Sequence, residues 1–192
     1  FRQSSKKAAT RKQADTPTLF TENRQPLENF IAIPEVSSGT RRYIPMGFLN
    51  SNIICSNKLQ LLPSASIYHF AVLMSNVHMA WMRSVCGRLK SDYDYSARIV
   101  YNNFPWSTPT DEQRAKIEQT AQAILDARNL YPDCSLADLY DEATMPPELR
   151  KAHQQNDKAV MQAYGFWGKL NTESACVAEL MKMYQKLAEG KA

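Results

Sequence analysis

The chain has 192 residues, 44% of them hydrophobic and 22% charged, with a formal net charge of +4 and a pI near 8.8. That is ordinary globular usage, enough for one substantial core or two small ones. Its apolar stretches are interrupted by Ser, Asn, His or Arg well short of a membrane span, and its basic start has no apolar region behind it, so neither a membrane span nor an export signal is evident in these residues.

Residues 1–15 read as a polar, basic leader, extended or helical. A start on Phe1-Arg2 suggests that it continues from an absent upstream region. Arg2, Lys6, Lys7, Arg11 and Lys12 precede any acid, and basic residues recur through the first hundred positions. A phosphate-facing N-terminal half fits this distribution, and so does a solvated basic face. Phe30 to Ile33, Arg42 to Pro45 and Asn52 to Cys55 are short, β-branched or aromatic, and bounded by Pro, Gly, Asn and Ser. They are predicted as strands of a small sheet.

From Ser66 to Val85, apolar residues including Ile67, Phe70, Met74, Val77, His78, Trp81 and Val85 recur at helical spacing. The spacing predicts one long helix, capped by Ser66 and ended by Gly87, with Phe70 and Trp81 in the core. Such a helix delivers the Gly87 turn and the Lys90 loop from a rigid base. Arg98 to Tyr101 is predicted to return as a strand before Pro105 and Pro109 break the chain. With Ser107 to Thr110 as a linker, the domains are expected at 16–107 and 108–192, the second all helical. Its helices are predicted at Asp111 to Leu130, Ser135 to Tyr140, Pro147 to Tyr164 and Thr172 to Ala188. The fold class is α+β: a small sheet with packed helices, then a helical C-terminal domain.

The segment 87–106 carries the densest chemistry, with Arg88, Lys90, Asp92, Asp94 and Arg98 interleaved with Tyr93, Tyr95, Tyr101 and Trp106. A Lys donates to the acceptor edge of guanine and an Asp accepts from the amino group of cytosine, so Lys90 and Asp92 together suit one G·C pair in the major groove. The four aromatic residues are candidates for stacking on bases or lining the deoxyribose. A solvated charged turn is the competing reading.

Other chemistry finds no support. Cys55, Cys86, Cys134 and Cys176 lack the close pairs of zinc sites, and His69, His78 and His153 are dispersed, so no metal site is indicated. Reduced thiols and a cytoplasmic setting are expected. Cys86 with His78 or His69 makes a poor nucleophile and base, because a helix C-terminus opposes a thiolate; His78 reads as a core residue. His153 reads as stabilising a helix junction. Asp138, Asp141 and Glu142 read as capping or solvated acids, and the methionines as core filling. Six scattered glycines cradle no phosphate. Asn102-Asn103-Phe104-Pro105 lacks the paired prolines of an amino-methyltransferase motif, and reads as structural: Phe104 and Trp106 close the core while the Asn pair bonds local backbone. No catalytic residue is assigned.

Ile33-Pro34-Glu35-Val36-Ser37-Ser38, Arg41-Arg42-Tyr43-Ile44-Pro45, His78 to Arg83, Gly87-Arg88-Leu89-Lys90 and Tyr101 to Trp106 stand in an order that resembles the target-recognition domain of the type IIL, MmeI-like restriction-modification DNA methyltransferases. Leu136 to Asp141, Met145-Pro146, Leu149 to His153 and Asp157 to Val160 resemble that family's helical C-terminal domain, so the likeness runs from about Thr16 to Gly165. The resemblance implies a DNA-binding fragment of an adenine-N6 methyltransferase. Double-stranded DNA and the upstream methyltransferase domain of the same chain would be its partners, and S-adenosylmethionine would be a cofactor of the parent enzyme but not of the fragment. It also implies that the positions of Lys90 and Asp92 set one base pair of an asymmetric site. Arg41, Arg42, Arg83, Arg88, Arg98 and Asp94 are the accompanying candidates for phosphate or base contact. The alternative reading is a non-catalytic protein-interaction module docking through the sheet and the Trp81 helix.

Overall fold

The computed structural model describes residues 1–20 and 24–190. After a five-residue helix α1 (Ala8–Lys12) come β1 (Phe30–Pro34), β2 (Val36–Ser37), β3 (Gly47–Leu49), β4 (Leu59–Pro63), α2 (Ile67–Leu73), α3 (Asn76–Val85), β5 (Gly87–Leu89) and β6 (Asp92–Asp94). A π-helical turn spans Ala97–Tyr101, and four helices follow: α4 (Asp111–Asn129), α5 (Leu136–Leu139), α6 (Pro147–Ala163) and α7 (Glu173–Glu189). The architecture is α+β.

Phe30-Ile31-Ala32-Ile33 is an unbroken apolar run with every residue buried, the signature of a strand covered on both faces. β1 is accordingly the middle of an antiparallel sheet ordered β3-β1-β4, with Ile31 opposite Phe48 on one side and Leu62 on the other. The same run of chain bends at Glu35 and enters a second antiparallel sheet, ordered β2-β6-β5. Glu35 joins the two sheets through its backbone: its N–H donates to the Lys58 carbonyl (2.9 Å) and its carbonyl accepts from the Tyr95 N–H (2.6 Å).

Four expectations are corrected. The segments 42–45 and 52–55 are not strands. Tyr43 and Ile44 are buried core plugs, and the Ile44 N–H meets the Met79 sulfur instead of a ladder partner. Asn50 draws its neighbours into a local turn, its side chain accepting from the Asn52 N–H (2.9 Å). The helix predicted from Ser66 to Val85 is two helices, broken at Ser75. That buried hydroxyl donates to the Val72 carbonyl (2.7 Å) and accepts from the His78 N–H (3.3 Å), ending α2 and capping α3 at one residue. The strand predicted at Arg98 to Tyr101 is the π-turn, closed by the Asn102 N–H on the Ala97 carbonyl (2.9 Å). Asn103 Nδ2 donates to the Arg98 and Ile99 carbonyls and Trp81 Nε1 to the Val100 carbonyl (2.9 Å), so side chains take the acceptors a ladder would need.

Trp81, Phe70, Met74, Met79 and Met82 of the α2–α3 pair lie in a hydrophobic cluster that continues without interruption into Ile117, Ile124, Leu149, Val160 and Leu180 of the C-terminal helices. Several polar groups buried in this core are paired with one another. Arg128 donates twice to the Tyr140 hydroxyl (2.9 and 2.6 Å), which lies 2.7 Å from His153 Nε2. Because that oxygen already accepts from Arg128, its single hydrogen goes to Nε2, which places the imidazole proton on Nδ1. Tyr43 stacks on the His153 ring (centroids 4.2 Å apart) and donates its hydroxyl to Asp157 Oδ2 (2.6 Å). Asp157 Oδ1 accepts from the Asn76 N–H at the start of α3 (2.7 Å), and Asn156 donates to the Ala71 carbonyl (2.8 Å). His78 lies 3.1 Å from the Tyr95 hydroxyl.

Burial pushes His78 and His153 down to about 3, and pushes Asp157 up to about 6, partly countered by the bonds from Tyr43 and Asn76. The neutral histidines contribute stability that is complete above their unfolded value near 6.5 and lost as pH falls towards 3. Asp157 acts oppositely: its contribution is complete below 3.8 and lost as pH rises through 6. Between pH 4 and 6 the unfolded chain binds two more protons at these two histidines and one fewer at Asp157, so these three groups together make unfolding free energy fall on acidification, by roughly 1 kcal/mol per pH unit. Urea titrations across that range test this, and Asp157→Asn is expected to steepen the slope towards two protons. A flat profile would contradict the buried pairing.

Candidate nucleic-acid interface

The segment 87–94, expected as a loop, is a β-hairpin whose two central residues are Lys90 and Ser91, since Leu89 pairs with Asp92. Lys90 has φ +57° and Ser91 does not have positive φ. A two-residue hairpin with the left-handed region at its first central position normally takes Gly there, so an exposed Lys in that place is strained. Lys90 is exposed at the tip of the hairpin.

Alternation along the strands sorts the remaining candidates. Arg88 stands opposite Tyr93, its guanidinium 4.2 Å from the centre of that ring, and Nη1 donates to the Ser91 carbonyl (3.3 Å). Leu89, 56% exposed, stands opposite Asp92, and Gly87 opposite Asp94, so these four share the other face. Asp92 Oδ1 accepts from the Gly39 N–H at 3.3 Å. Arg98 is exposed on the π-turn.

The candidates do not form one patch of free cations. Arg83 donates through Nε and Nη2 to both carboxylate oxygens of Glu173 (2.8 Å each) and through Nη1 to the Arg42 carbonyl (3.1 Å), so it ties α3 to α7 and the 41–43 loop. Arg41 reaches the Ala137 carbonyl (3.5 Å), and Arg42 is exposed with its guanidinium 5.7 Å from the Tyr43 ring. Of the aromatics expected to stack on bases, Tyr93 and Tyr95 are buried and unavailable, while Tyr101 and Trp106 are partly buried and pack edge-to-face at 5.9 Å. Aromatic density within a short stretch does not distinguish core from stacking platform.

The minor expectations can be compared directly. His78 and His153 are core histidines with hydroxyl partners. Cys86 is half-buried at the C-terminal cap of α3, and burial raises its thiol; all four cysteines are free. Asp138 accepts from the Ser135 N–H in a capping box, and Glu142 pairs with Arg150. Among the described residues no group of three or more His, Cys, Asp or Glu gathers to hold a metal ion, and no helix is long and apolar enough to cross a membrane.

Residues 1–108 match the family model described as MmeI, target recognition domain, and residues 109–191 match MmeI, C-terminal domain. The chain belongs to this family. Among its relatives, DNA methyltransferase A of Bacillus subtilis (strain 168) is 38% identical over 188 residues, which cover 98% of this chain and 21% of that protein. A solved structure of the type IIL restriction-modification enzyme MmeI, in complex with DNA, is 49% identical with a TM-score of 0.91, covering 98% of this chain and 25% of that one. The chain thus spans between about a fifth and a quarter of the length of these relatives.

Relieving the strained tip tests whether Lys90 serves the fold. Lys90→Gly removes a left-handed penalty of about 1–2 kcal/mol and adds about 0.5–1 kcal/mol of chain entropy cost. Unfolding free energy from urea titration is therefore expected to hold or rise by up to about 1.5 kcal/mol. A loss of stability would make Lys90 a structural residue.

Proposed function

We propose that this chain is the sequence-reading part of a site-specific DNA methyltransferase of the restriction-modification type. It binds double-stranded DNA and leaves the chemistry to an upstream methyltransferase domain of the same polypeptide, which transfers a methyl group from S-adenosylmethionine to the N6 of an adenine. The observation that carries this reading is the likeness, over nearly the whole chain, to an enzyme solved on DNA, together with a hairpin that has Lys90 exposed at its tip. Lys90 donates to a guanine edge, and Asp92, whose Oδ2 is not needed by Gly39, accepts from the cytosine amino group of the same pair. Arg42, Arg88 and Arg98 contribute phosphate contacts that set register and affinity. Arg41, Arg83 and Asp94 act by supporting the loops around the hairpin. Cytoplasmic residence follows from access to the cell's DNA.

The test is an exchange of readers in the polypeptide that includes the upstream domain, with methylated bases mapped by sequencing. Lys90→Glu with Asp92→Arg is expected to exchange the preferred base at one end of the site, while affinity for bulk DNA at a stated salt concentration changes little. An unchanged methylation motif would sink the assignment of these two residues. No methylation by a folded protein would favour the protein-interaction reading.

A further inference from the structure

Gly39 lies in the turn between β2 and Tyr43 and has no side chain with which to touch a base. Its N–H donates to Asp92 Oδ1 (3.3 Å), and a Cβ built on it would stand 2.5 Å from the Ser91 carbonyl oxygen. That oxygen is backbone in a hairpin turn, so it cannot give way as the end of a flexible side chain would, and it accepts from Arg88 Nη1 (3.3 Å). Gly39 does not have positive φ, so glycine serves here for close approach and not for conformational freedom. The Ser38 and Thr40 hydroxyls, 2.9 Å apart, brace the turn on either side.

We infer that Gly39 is a positioning residue for sequence reading: by donating to Asp92 and admitting the Ser91 carbonyl, it makes the 38–42 turn and the Lys90 hairpin a single rigid element. The inference rests on the proposed reading of the hairpin as the DNA-contacting element. It deepens that reading, because it divides the Asp92 carboxylate into one oxygen committed to the protein and one available to a base. It also explains why the chain tolerates a left-handed Lys at the tip: the residues following it are pinned from two sides. A base change made through Asp92→Arg accordingly carries a cost, since a guanidinium has no acceptor for the Gly39 N–H. The doubly substituted protein is expected to discriminate less sharply than the parent.

Two measurements on this chain test the inference. The first is amide exchange at Gly39, read by NMR in wild type, Asp92→Ala and Asp92→Asn. Asp92→Ala is expected to speed exchange about tenfold or more, while Asp92→Asn, which keeps a carbonyl at Oδ1, retains protection. Equal protection in all three overturns the bond. The second is selection from a pool of random duplexes. Gly39→Ala is expected to bind the unselected pool within about twofold of wild type, because phosphate contacts dominate that affinity, but to discriminate about tenfold less at one base pair. If Gly39→Ala enriches the wild-type motif with undiminished discrimination, the positioning role is wrong and the proposed function stands. If wild type enriches no motif while Gly39 exchange responds to Asp92 as described, the reading function itself fails and the positioning role with it. Should Gly39→Ala not fold, the Asp92 pair decides. Both remove the charge, but only Asp92→Asn keeps the acceptor, so a defined base at that pair is expected from Asp92→Asn and none from Asp92→Ala. Equal discrimination by the two overturns the inference.

Discussion

A single carboxylate ties the N-terminal half of this chain to its C-terminal helices. Asp157, carried on α6 and itself buried, accepts the Tyr43 hydroxyl in the core and the first free amide of α3 at a partly buried position. Unfulfilled donors at a helix start and a buried phenol would each be costly, and a buried carboxylate without them more so. The arrangement makes each group the remedy for the others. It also fixes the direction of α3, which carries Trp81 and leads directly into the hairpin. The N-terminal half is thus anchored, through Tyr43 and the start of α3, on a residue contributed by the C-terminal helices, and the apolar cluster they share has no seam near position 108.

Periodicity and capping made the C-terminal helices legible: α4, α5, α6 and α7 begin and end within a residue or two of where the apolar spacing and Thr110, Ser135 and Thr172 put them. β1 was legible for a similar reason, an apolar run too short for a helix. The misplaced elements share a different cause. Ser75 and Asn50 redirect the backbone with their own side chains, and Asn103 and Trp81 claim the carbonyls of the π-turn from a distance; none of these leaves a trace in hydrophobic spacing. The strands β3 and β4 are recognisable mainly by their pairing with β1, which is non-local. At the candidate site, the residue types in the hairpin were visible, but their sidedness depends on a two-residue turn that no alternation pattern announces. Gly39 gave no signal beyond a Ser-Gly-Thr punctuation before two arginines.

Basic residues in the first hundred positions do two kinds of work. Arg83 is bidentate on Glu173, and Arg41 reaches into the helical half, so both are spent on joining parts of the protein. Arg42 and Arg98 remain exposed, and Lys90 stands clear at the tip. A count of positive charges therefore overstates what is available to a polyanion. The aromatic residues follow the same division, with Tyr93 serving as a platform for Arg88 from within the core.

The hairpin leaves β5 with one unpaired side, a row of free amides and carbonyls of the kind that recruits stray strands from other chains. Here the row is three residues long, begins with a glycine and carries Arg88, with Lys90 immediately beyond. Too short to template a partner and guarded by charge, it lets a projecting β-element stay soluble without a cover. Lengthening the hairpin to reach further would expose a longer edge, so the reach of such an element is bounded by colloidal stability as much as by the shape of its target.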